Sequence, residues 1–373
     1  MKKKILYIVN VDYFILSHRL PILCETIDQG FEVHIACADT GKFKELESHG
    51  FKMHRISMDR KSMNPFLLIG NFFKIFFLIK AIKPSILHLL TIKPIILGGL
   101  SSLFLKTNKI VVSITGLGYI FASNGLLIRI IRMAVKKIYK IVFSRENVII
   151  ITQNIEDRLN ILNFTSANSE NVHLIKGTGI DMLKVAYKPL PSSYKKIIFM
   201  ASRLLKDKGV KEFLDASNIL LNRSDEIYFY LAGDIDQSNP ESFSYEELQA
   251  LKTQYSNVNF MGKISNVLDV LNDSYVSILP SYREGFPKFL SESASVGRPI
   301  ITTDVAGCRD AVIHGETGII IPVKNSVDLA KGIEFLVDNV SVARKFSIAA
   351  RSFAENELDL NIVLEKHMAI YKQ

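Results

Sequence analysis

Lys195-Lys196-Ile197-Ile198-Phe199-Met200 echoes the opening run Lys3-Lys4-Ile5-Leu6-Tyr7-Ile8. In both, two lysines precede an unbroken apolar stretch. Such a run, without polar alternation, reads as a strand covered on both faces, the habit of parallel sheets. A second first strand, halfway along the chain, predicts two α/β domains rather than one. Working outward from the first copy, Ile- and Val-rich runs follow at Val33–Cys37, Ile86–Leu90, Ile110–Ile114, Val148–Ile151 and Val172–Ile175. Helix-period segments separate them at Ser17–Gln29, Asn64–Ile82, Pro94–Leu105, Leu126–Phe143 and Ile155–Leu162. After the second copy the alternation resumes, with runs at Ile227–Ala232, Val258–Phe260, Val276–Leu279, Ile300–Thr303 and Gly318–Ile321.

The stretch from Lys184 to Tyr194 carries Pro189, Pro191, Ser192 and Ser193, a linker-like composition. The expected organisation is therefore a domain over 1–184, a linker over 185–194, a second domain over 195–355 and a closing helical segment over 356–373. Both domains read as Rossmann-like, doubly wound units facing across a cleft. Ligands of such sheets bind at the carboxyl ends of the strands, where the strand order reverses. Neither first strand is followed by G-x-G-x-x-G, which argues against a dehydrogenase.

Hydrophobic residues make up 48% of the 373 and charged residues 22%, which excludes a disordered chain. The net charge of +9 is unevenly spread: residues 1–184 sum to +12 and the rest to −3. Arg60 to Arg145 holds 14 Lys or Arg and no Asp or Glu. A basic, apolar-rich half points to an anionic partner: nucleic acid, anionic lipid or a phosphorylated ligand. A Lys- and Ile-rich genome is the alternative source of that bias. Three cysteines without C-x-x-C spacing favour neither disulfides nor zinc, and fit a reducing compartment. The lysine-led start imitates a signal peptide, but its apolar run breaks at Asn10 and Asp12. The longest uncharged stretch, Ile110 to Ile128, is interrupted by Gly116, Gly118 and Gly125, so no transmembrane span is expected.

The segment with most chemistry is Leu279-Pro280-Ser281-Tyr282-Arg283-Glu284-Gly285-Phe286-Pro287-Lys288-Phe289-Leu290-Ser291-Glu292. A buried strand ends at Leu279, a loop carries Glu284, and Pro287 suits the first position of a helix. The free N–H groups of that turn make an anion site. Glu284 and Glu292, eight apart, reach different parts of one ligand, and a carboxylate is a good acceptor for a vicinal diol. Alternatively Glu284 caps the helix and Glu292 is solvated. After the second domain's first strand, Arg203 and Lys208 flank a loop that opens into a helix at Gly209. Two cations there suit a diphosphate; an ion pair with Asp207 is the plainer reading. Asp234-Ile235-Asp236 spells the D-x-D of metal-dependent sugar transferases, and its place after a second-domain strand makes it coincidental.

Glu284-Gly285-Phe286-Pro287 through Glu292 resembles the E-x7-E signature of retaining glycosyltransferases of family 4, which have the two-domain GT-B fold. Arg203 and Lys208 match that family's diphosphate pair. Ala232-Gly233-Asp234, Phe260-Met261-Gly262, Asp304 to Cys308 and Gly315-Glu316-Thr317-Gly318 stand where the family has its turns. Thr115-Gly116-Leu117-Gly118-Tyr119, Asn64-Pro65-Phe66 and His18-Arg19-Leu20-Pro21 are similar to members that extend undecaprenyl-diphosphate-linked glycans, several of which transfer N-acetylgalactosamine or another N-acetylhexosamine.

The resemblance implies a fold, a reaction and roles. The last helix is expected to cross back to the first domain. Arg203 and Lys208 would hold the diphosphate of a UDP-sugar and stabilise the leaving charge. Glu292 would bind the ribose, Glu284 and the backbone amides from Gly285 to Pro287 the transferred sugar, and Gly262, Lys263 and Ile264 would cover the base. No metal and no cofactor is expected. Where many members have a glycine pair after the first strand, this chain has Asp12-Tyr13-Phe14-Ile15; where many have a His, it has Thr115. His18, Arg19, Lys93, Gly116 and Gly118 are the acceptor-side candidates. Arg129, Arg132, Lys136 and Lys140 recur on one face of the helix from Leu126, as in helices that lie on anionic membranes. The implied location is cytoplasmic, peripheral on the inner face of the plasma membrane, with no nucleic-acid partner. A UDP-N-acetylglucosamine 2-epimerase, or a non-catalytic protein binding anionic lipid or nucleic acid, are the alternatives.

Overall fold

A computed structural model describes residues 2–56, 58, 64–117, 125–193, 195–223, 226–237 and 239–373. The chain divides into two compact units, Met1–Thr178 with Val363–Gln373, and Gly179–Ile362.

The first unit is built on a seven-stranded parallel sheet of order β3-β2-β1-β4-β5-β6-β7. Its strands are β1 (Lys4–Val11), β2 (Glu32–Ala38), β3 (Lys52–Arg55), β4 (Ile86–Leu90), β5 (Lys109–Ile114), β6 (Val148–Thr152) and β7 (Val172–Leu174). Its helices are α1 (Asp12–His18), α2 (Leu20–Asp28), α3 (Phe43–Ser48), α4 (Pro65–Ile82), α5 (Ile92–Ser102), α6 (Leu126–Phe143) and α7 (Ile155–Phe164). Every residue of β4 and of β6 is buried, because helices cover both faces. On one face α4, α5 and α6 pack through Ile75, Ile79, Ile95, Val135 and Phe143. On the other, Tyr7, Ile15, Leu23 and Val33 form a second core, closed by Val363, Met368 and Tyr371 of the last helix.

The second unit has a six-stranded parallel sheet of order β10-β9-β8-β11-β12-β13. Its strands are β8 (Lys196–Ala201), β9 (Ile227–Ala232), β10 (Val258–Gly262), β11 (Val276–Leu279), β12 (Ile300–Thr303) and β13 (Gly318–Ile321). The helices are α8 (Val210–Ile219), α9 (Tyr245–Gln254), α10 (Val267–Asp273), α11 (Lys288–Val296), α12 (Ala306–Arg309), α13 (Ser326–Asp338) and α14 (Val340–Glu357). The last helix, α15 (Leu360–Lys372), starts in this unit and belongs to the first from Val363 onward. Two Rossmann-like sheets are thus present, one in each half.

Three departures from the sequence reading have local causes. The single helix expected over Ser17–Gln29 is two, α1 and α2, broken at Arg19 (φ −131°, ψ −9°). Pro21 has no N–H to bond the Ser17 carbonyl, so one helix cannot run through it. The edge strand β3 reads Lys-Met-His-Arg, too polar to signal a buried run. The Pro-rich stretch belongs to the second unit, and only Tyr194 in it lies outside the described residues. Its anchors are two arginines. Arg298, wholly buried, donates to the carbonyls of Ser274 (2.9 Å) and Lys188, and Arg351 donates to that of Val185 (2.7 Å).

Candidate active site

In the second unit the strand order reverses between β8 and β11. The loops leaving these two strands carry Arg203, Lys208 and Glu284. They touch backbone to backbone. Gly209 starts α8 at φ +73°, and a Cβ there would overlap the Pro280 carbonyl oxygen. The Tyr282 N–H donates to the Asp207 carbonyl (2.8 Å), as does the Ser281 hydroxyl (3.1 Å). The Arg283 guanidinium adds an ion pair to the Asp207 carboxylate (2.8 Å). From the far side, Gly307 at the start of α12 lies against the carbonyls of Glu284 and Gly285, in space that any side chain would fill. The Thr303 hydroxyl at the end of β12 donates to the Ser281 carbonyl.

This packing joins residues 76 positions apart. The Lys208 ammonium and the Glu284 carboxylate meet at 2.6 Å, with side chains only 14% and 15% exposed. Glu284 is therefore no helix cap. Asp207 pairs with Arg283, not with Arg203 or Lys208. Arg203, about half exposed, pairs with Asp236 at 2.8 Å. One carboxylate of the D-x-D is thus the counter-ion of the expected diphosphate arginine. Sequence reading quoted both residues without pairing them. The signal was topological, since β8 and β9 are neighbours and their loops must adjoin.

Glu292 lies in α11, mostly buried, with Lys288 3.5 Å away. Burial pushes its carboxyl pKa up, and the Lys288 charge opposes that only in part. Pro287 precedes α11 rather than opening it. It has no N–H, so of the three backbone groups expected to donate to a sugar only Gly285 and Phe286 can. Phe286 is buried, and Cys308, also buried, lies near Glu284. Its thiol is pushed up to about 12, chiefly by burial and then by the Glu284 charge. Gly262 ends β10 at φ +67°, and its carbonyl accepts from Gly233 N–H (2.8 Å); Lys263 is exposed and Ile264 packs on the core. Among the described residues no group of three or more His, Cys, Asp or Glu is placed to hold a metal.

The first-unit candidates are dispersed. His18 stacks on Phe14 (ring centroids 4.8 Å) and meets the Ser17 hydroxyl at 2.6 Å. Arg19 is buried to 2% exposure, and its charge faces Tyr7, Tyr371, His88 and His367. Beside it runs a buried relay: Ser113 Oγ to His88 Nε2 (2.7 Å), His88 Nδ1 to Tyr371 Oη (2.8 Å), and Tyr7 Oη donating to Tyr371 Oη (2.9 Å). Sequence reading missed this relay, whose members are scattered over four elements. Lys93 stands in the first turn of α5, half-buried, and Gly116 sits at φ +118° after β5. Gly118 lies outside the described residues.

The basic face of α6 is composed differently from the expected ladder. Arg129 and Lys140 are exposed, but Lys136 lies over the Phe164 ring (5.0 Å) and Arg132 is half-buried. The outward stripe joins Arg129, Lys137 and Lys140 to Leu126, Ile130, Met133 and Ile141.

Comparison with known proteins agrees with this layout. The family described as Glycosyl transferases group 1 matches residues 186–353, and Glycosyl transferase 4-like matches residues 4–154. The chain is 26% identical over 371 residues to the N,N'-diacetylbacillosaminyl-diphospho-undecaprenol alpha-1,3-N-acetylgalactosaminyltransferase of Campylobacter jejuni, covering 96% of this chain and 95% of that protein. It is 24% identical to the capsular polysaccharide biosynthesis glycosyltransferase CapM of Staphylococcus aureus, over 99% of this chain and 97% of that one. Among solved structures it superposes on a glycosyltransferase from Rickettsia africae with TM-score 0.79 at 20% identity, covering 100% and 98% of the two chains. It superposes on Anabaena HepE in complex with UDP with TM-score 0.76 at 15% identity, covering 100% of both. With one family on each half and two Rossmann-like sheets in the GT-B manner, the chain belongs to the group 1, family 4-like glycosyltransferases.

Proposed function

We propose that the protein is a retaining α-glycosyltransferase. In this reading it moves an N-acetylhexosamine, such as N-acetylgalactosamine, from a UDP-sugar to an undecaprenyl-diphosphate-linked saccharide in surface polysaccharide or glycan assembly. The Lys208–Glu284 pair across the strand reversal carries the reading. It puts a cation for a leaving diphosphate beside an acceptor for sugar hydroxyls. Arg203 supplies a second cation, and the backbone N–H groups of Gly285 and Phe286 supply donors. Stabilising charge as it develops on the leaving group is usually the largest catalytic contribution. Two side-chain cations make a metal unnecessary in this scheme. Glu292 takes the ribose diol, and the turn from Gly262 to Ile264 covers the base. The name of the Campylobacter relative supports the lipid-linked acceptor, and that of the Staphylococcus relative supports surface polysaccharide assembly.

A polyprenyl acceptor requires a membrane, and the first unit is suited to lie on one at its cytoplasmic face. Among the described residues no helix is long and apolar enough to cross a bilayer. On α4, Phe66 (82% exposed), Ile69, Phe73 and Phe77 point outward. α4 and α6 both pack on α5 in one helical layer, so with the outward cations of α6 this layer carries apolar and basic groups of the interfacial kind. Each Lys or Arg at an anionic surface adds about 1 kcal/mol.

The test is UDP release from a panel of UDP- and GDP-sugars, with and without lipid-linked saccharides extracted from the source organism. Release that needs both a UDP-sugar and the lipid, with the anomeric configuration retained in the product, is expected. Epimer formation from the donor alone, or no turnover with any pair, refutes the proposal. Co-sedimentation with vesicles containing anionic lipid, lost on Phe73→Ser with Phe77→Ser, tests the membrane contact.

A further inference from the structure

Lys208 and Glu284 do not meet alone. Asp207, the residue before Lys208, pairs at 2.8 Å with Arg283, the residue before Glu284. The loops that leave β8 and β11 are thus joined by two adjacent rungs of opposite sense. In one the cation comes from the β8 loop, in the other from the β11 loop. This arrangement fixes the register of the loops. Sliding one past the other by a residue would set Lys208 against Arg283, or Asp207 against Glu284, and like charges would face each other.

The second rung is tied into the fold. The Asp207 carbonyl also accepts the Tyr282 N–H and the Ser281 hydroxyl, at 2.8 and 3.1 Å. In the first turn of α8, Glu212 accepts from the Tyr282 hydroxyl at 2.6 Å. Burial, and then the bond to Glu212, push the Tyr282 pKa up, so the phenol keeps its proton and donates. Each of the two carboxylates gives one oxygen to the β11 loop. Their other oxygens, Asp207 Oδ1 and Glu212 Oε2, are shut away from solvent and have no partner among the described residues. The Asp207 side chain is only 13% exposed. Arg283 is therefore the cation that keeps Asp207 from being a bare charge in a mostly buried place.

The two rungs differ in what a ligand does to them. In the proposed function a diphosphate takes Lys208 and the sugar takes Glu284, so the first rung opens as the donor enters. The second rung uses neither residue. It is in place to hold the β11 loop at the moment when Glu284 has let go of Lys208.

We infer that Asp207 and Arg283 are positioning residues: their ion pair, braced by Tyr282 on Glu212, sets where Glu284 stands once a ligand has displaced it from Lys208. The inference rests on the donor reading proposed above, and adds to it residues that touch neither the diphosphate nor the sugar.

The test uses the full-length protein with Arg283→Gln, Arg283→Lys, Asp207→Asn, and Asp207→Asn combined with Arg283→Gln. Titration calorimetry gives the affinities for UDP and for UDP-N-acetylgalactosamine, and UDP release with the lipid-linked acceptor gives kcat. In Arg283→Gln the affinity for UDP should move less than about threefold, while that for UDP-N-acetylgalactosamine falls about tenfold, the size of a charge-assisted bond to a sugar hydroxyl. The kcat should fall about tenfold to a hundredfold, the cost of a displacement of about 1 Å near the chemistry. Arg283→Lys, which keeps the cation, should recover most of both. The double variant should lose no more than Arg283→Gln, because each residue acts through the other. An equal loss of both affinities in a folded variant would show a general loosening and overturn the inference. So would an unchanged kcat, or losses that multiply in the double variant. If the Arg283 variants unfold, Tyr282→Phe, which removes one hydroxyl, should shift the ratio of the two affinities the same way by about threefold, and an unshifted ratio overturns the inference. A wild type that binds UDP-N-acetylgalactosamine but transfers nothing sinks the transferase reading, and the affinity ratio still decides the inference. A wild type that binds neither nucleotide sinks both.

Discussion

Neutralising Glu284 should separate nucleotide binding from sugar transfer. In Glu284→Gln the shape is kept and one charge is lost. At 2.6 Å the Lys208–Glu284 attraction is roughly 1.6 kcal/mol in water and roughly 6 kcal/mol at an effective dielectric of about 20. Desolvation of both ions offsets most of this. Because Glu284→Gln leaves the mostly buried Lys208 charge without its anionic partner, the fold should nevertheless lose about 3 kcal/mol, roughly ten degrees of melting temperature in a unit this size. The effect on ligands changes sign between steps. A diphosphate on Lys208 has the Glu284 carboxylate for a neighbour. Like charges about 5 Å apart at an effective dielectric of about 40 repel by roughly 1.7 kcal/mol. Removing that repulsion should tighten UDP binding about tenfold, since 1.4 kcal/mol is a factor of about ten. Transfer should fall about tenfold to a hundredfold, because a sugar hydroxyl bonds a charged acceptor more strongly than a neutral amide, by roughly 1.5–3 kcal/mol at most. Titration calorimetry with UDP and an assay of UDP release read the two steps on one sample. If UDP binds Glu284→Gln no tighter than the wild type while the fold is intact, the carboxylate does not compete for Lys208, and the reasoning from the ion pair is wrong.

Other outcomes follow from the same geometry. Arg203→Ala should raise the KM for the donor about tenfold or more, the worth of charge-assisted bonds; Asp236→Asn, which releases Arg203 from its 2.8 Å partner, should lower it. Activity should survive dialysis against a chelator such as EDTA, and a loss restored by Mn²⁺ would return the D-x-D to consideration. His367 is buried and held neutral, its pKa pushed down to about 3 by burial and then by the Arg19 charge, and His88 is lowered from the same causes. A histidine whose folded pKa lies below its unfolded value of about 6.5 leaves the fold unaffected above that pH, and destabilises it as pH falls toward the folded value. Urea denaturation at pH 7.5 and 5.0 should show roughly 2 kcal/mol lost for His367, and His367→Leu should flatten the slope. An unchanged slope in that variant counts against the assignment.

The β-strands were legible because their physics leaves no alternative. Five consecutive buried residues, four of them apolar, in β4 or β6 can only be covered from both sides. The edge strand β3 was not, since half of an edge faces water and Lys52–Arg55 carries no apolar run. The break at Arg19 was visible in Pro21, but the helical period on either side of it masked the signal. In the site, each charged residue was found singly from its loop. Their pairing was not, because spacing along the chain says nothing about which loops adjoin until the strand order is known.

The charge asymmetry takes a sharper form once each cation has a place. In the second unit three cations at the strand reversal are held by carboxylates: Lys208 by Glu284, Arg203 by Asp236 and Arg283 by Asp207. A site balanced in this way does not have to strand a bare charge when it is empty, and an incoming diphosphate exchanges one anionic partner for another. The stretch from Arg60 to Arg145 has no acidic residue to play that part. Its outward cations Arg129, Lys137 and Lys140 share a helix face with Leu126, Ile130 and Met133. A carboxylate on such a face would be repelled by anionic headgroups and stripped of water beside a buried aromatic ring, and both effects disfavour it. On the membrane reading proposed above, the face is then marked less by the number of its lysines than by the exclusion of their usual counter-ions. Placing Glu at Met133, or at Phe73 on α4, should weaken vesicle binding more than removing Lys137, because the added charge both repels the surface and resists burial.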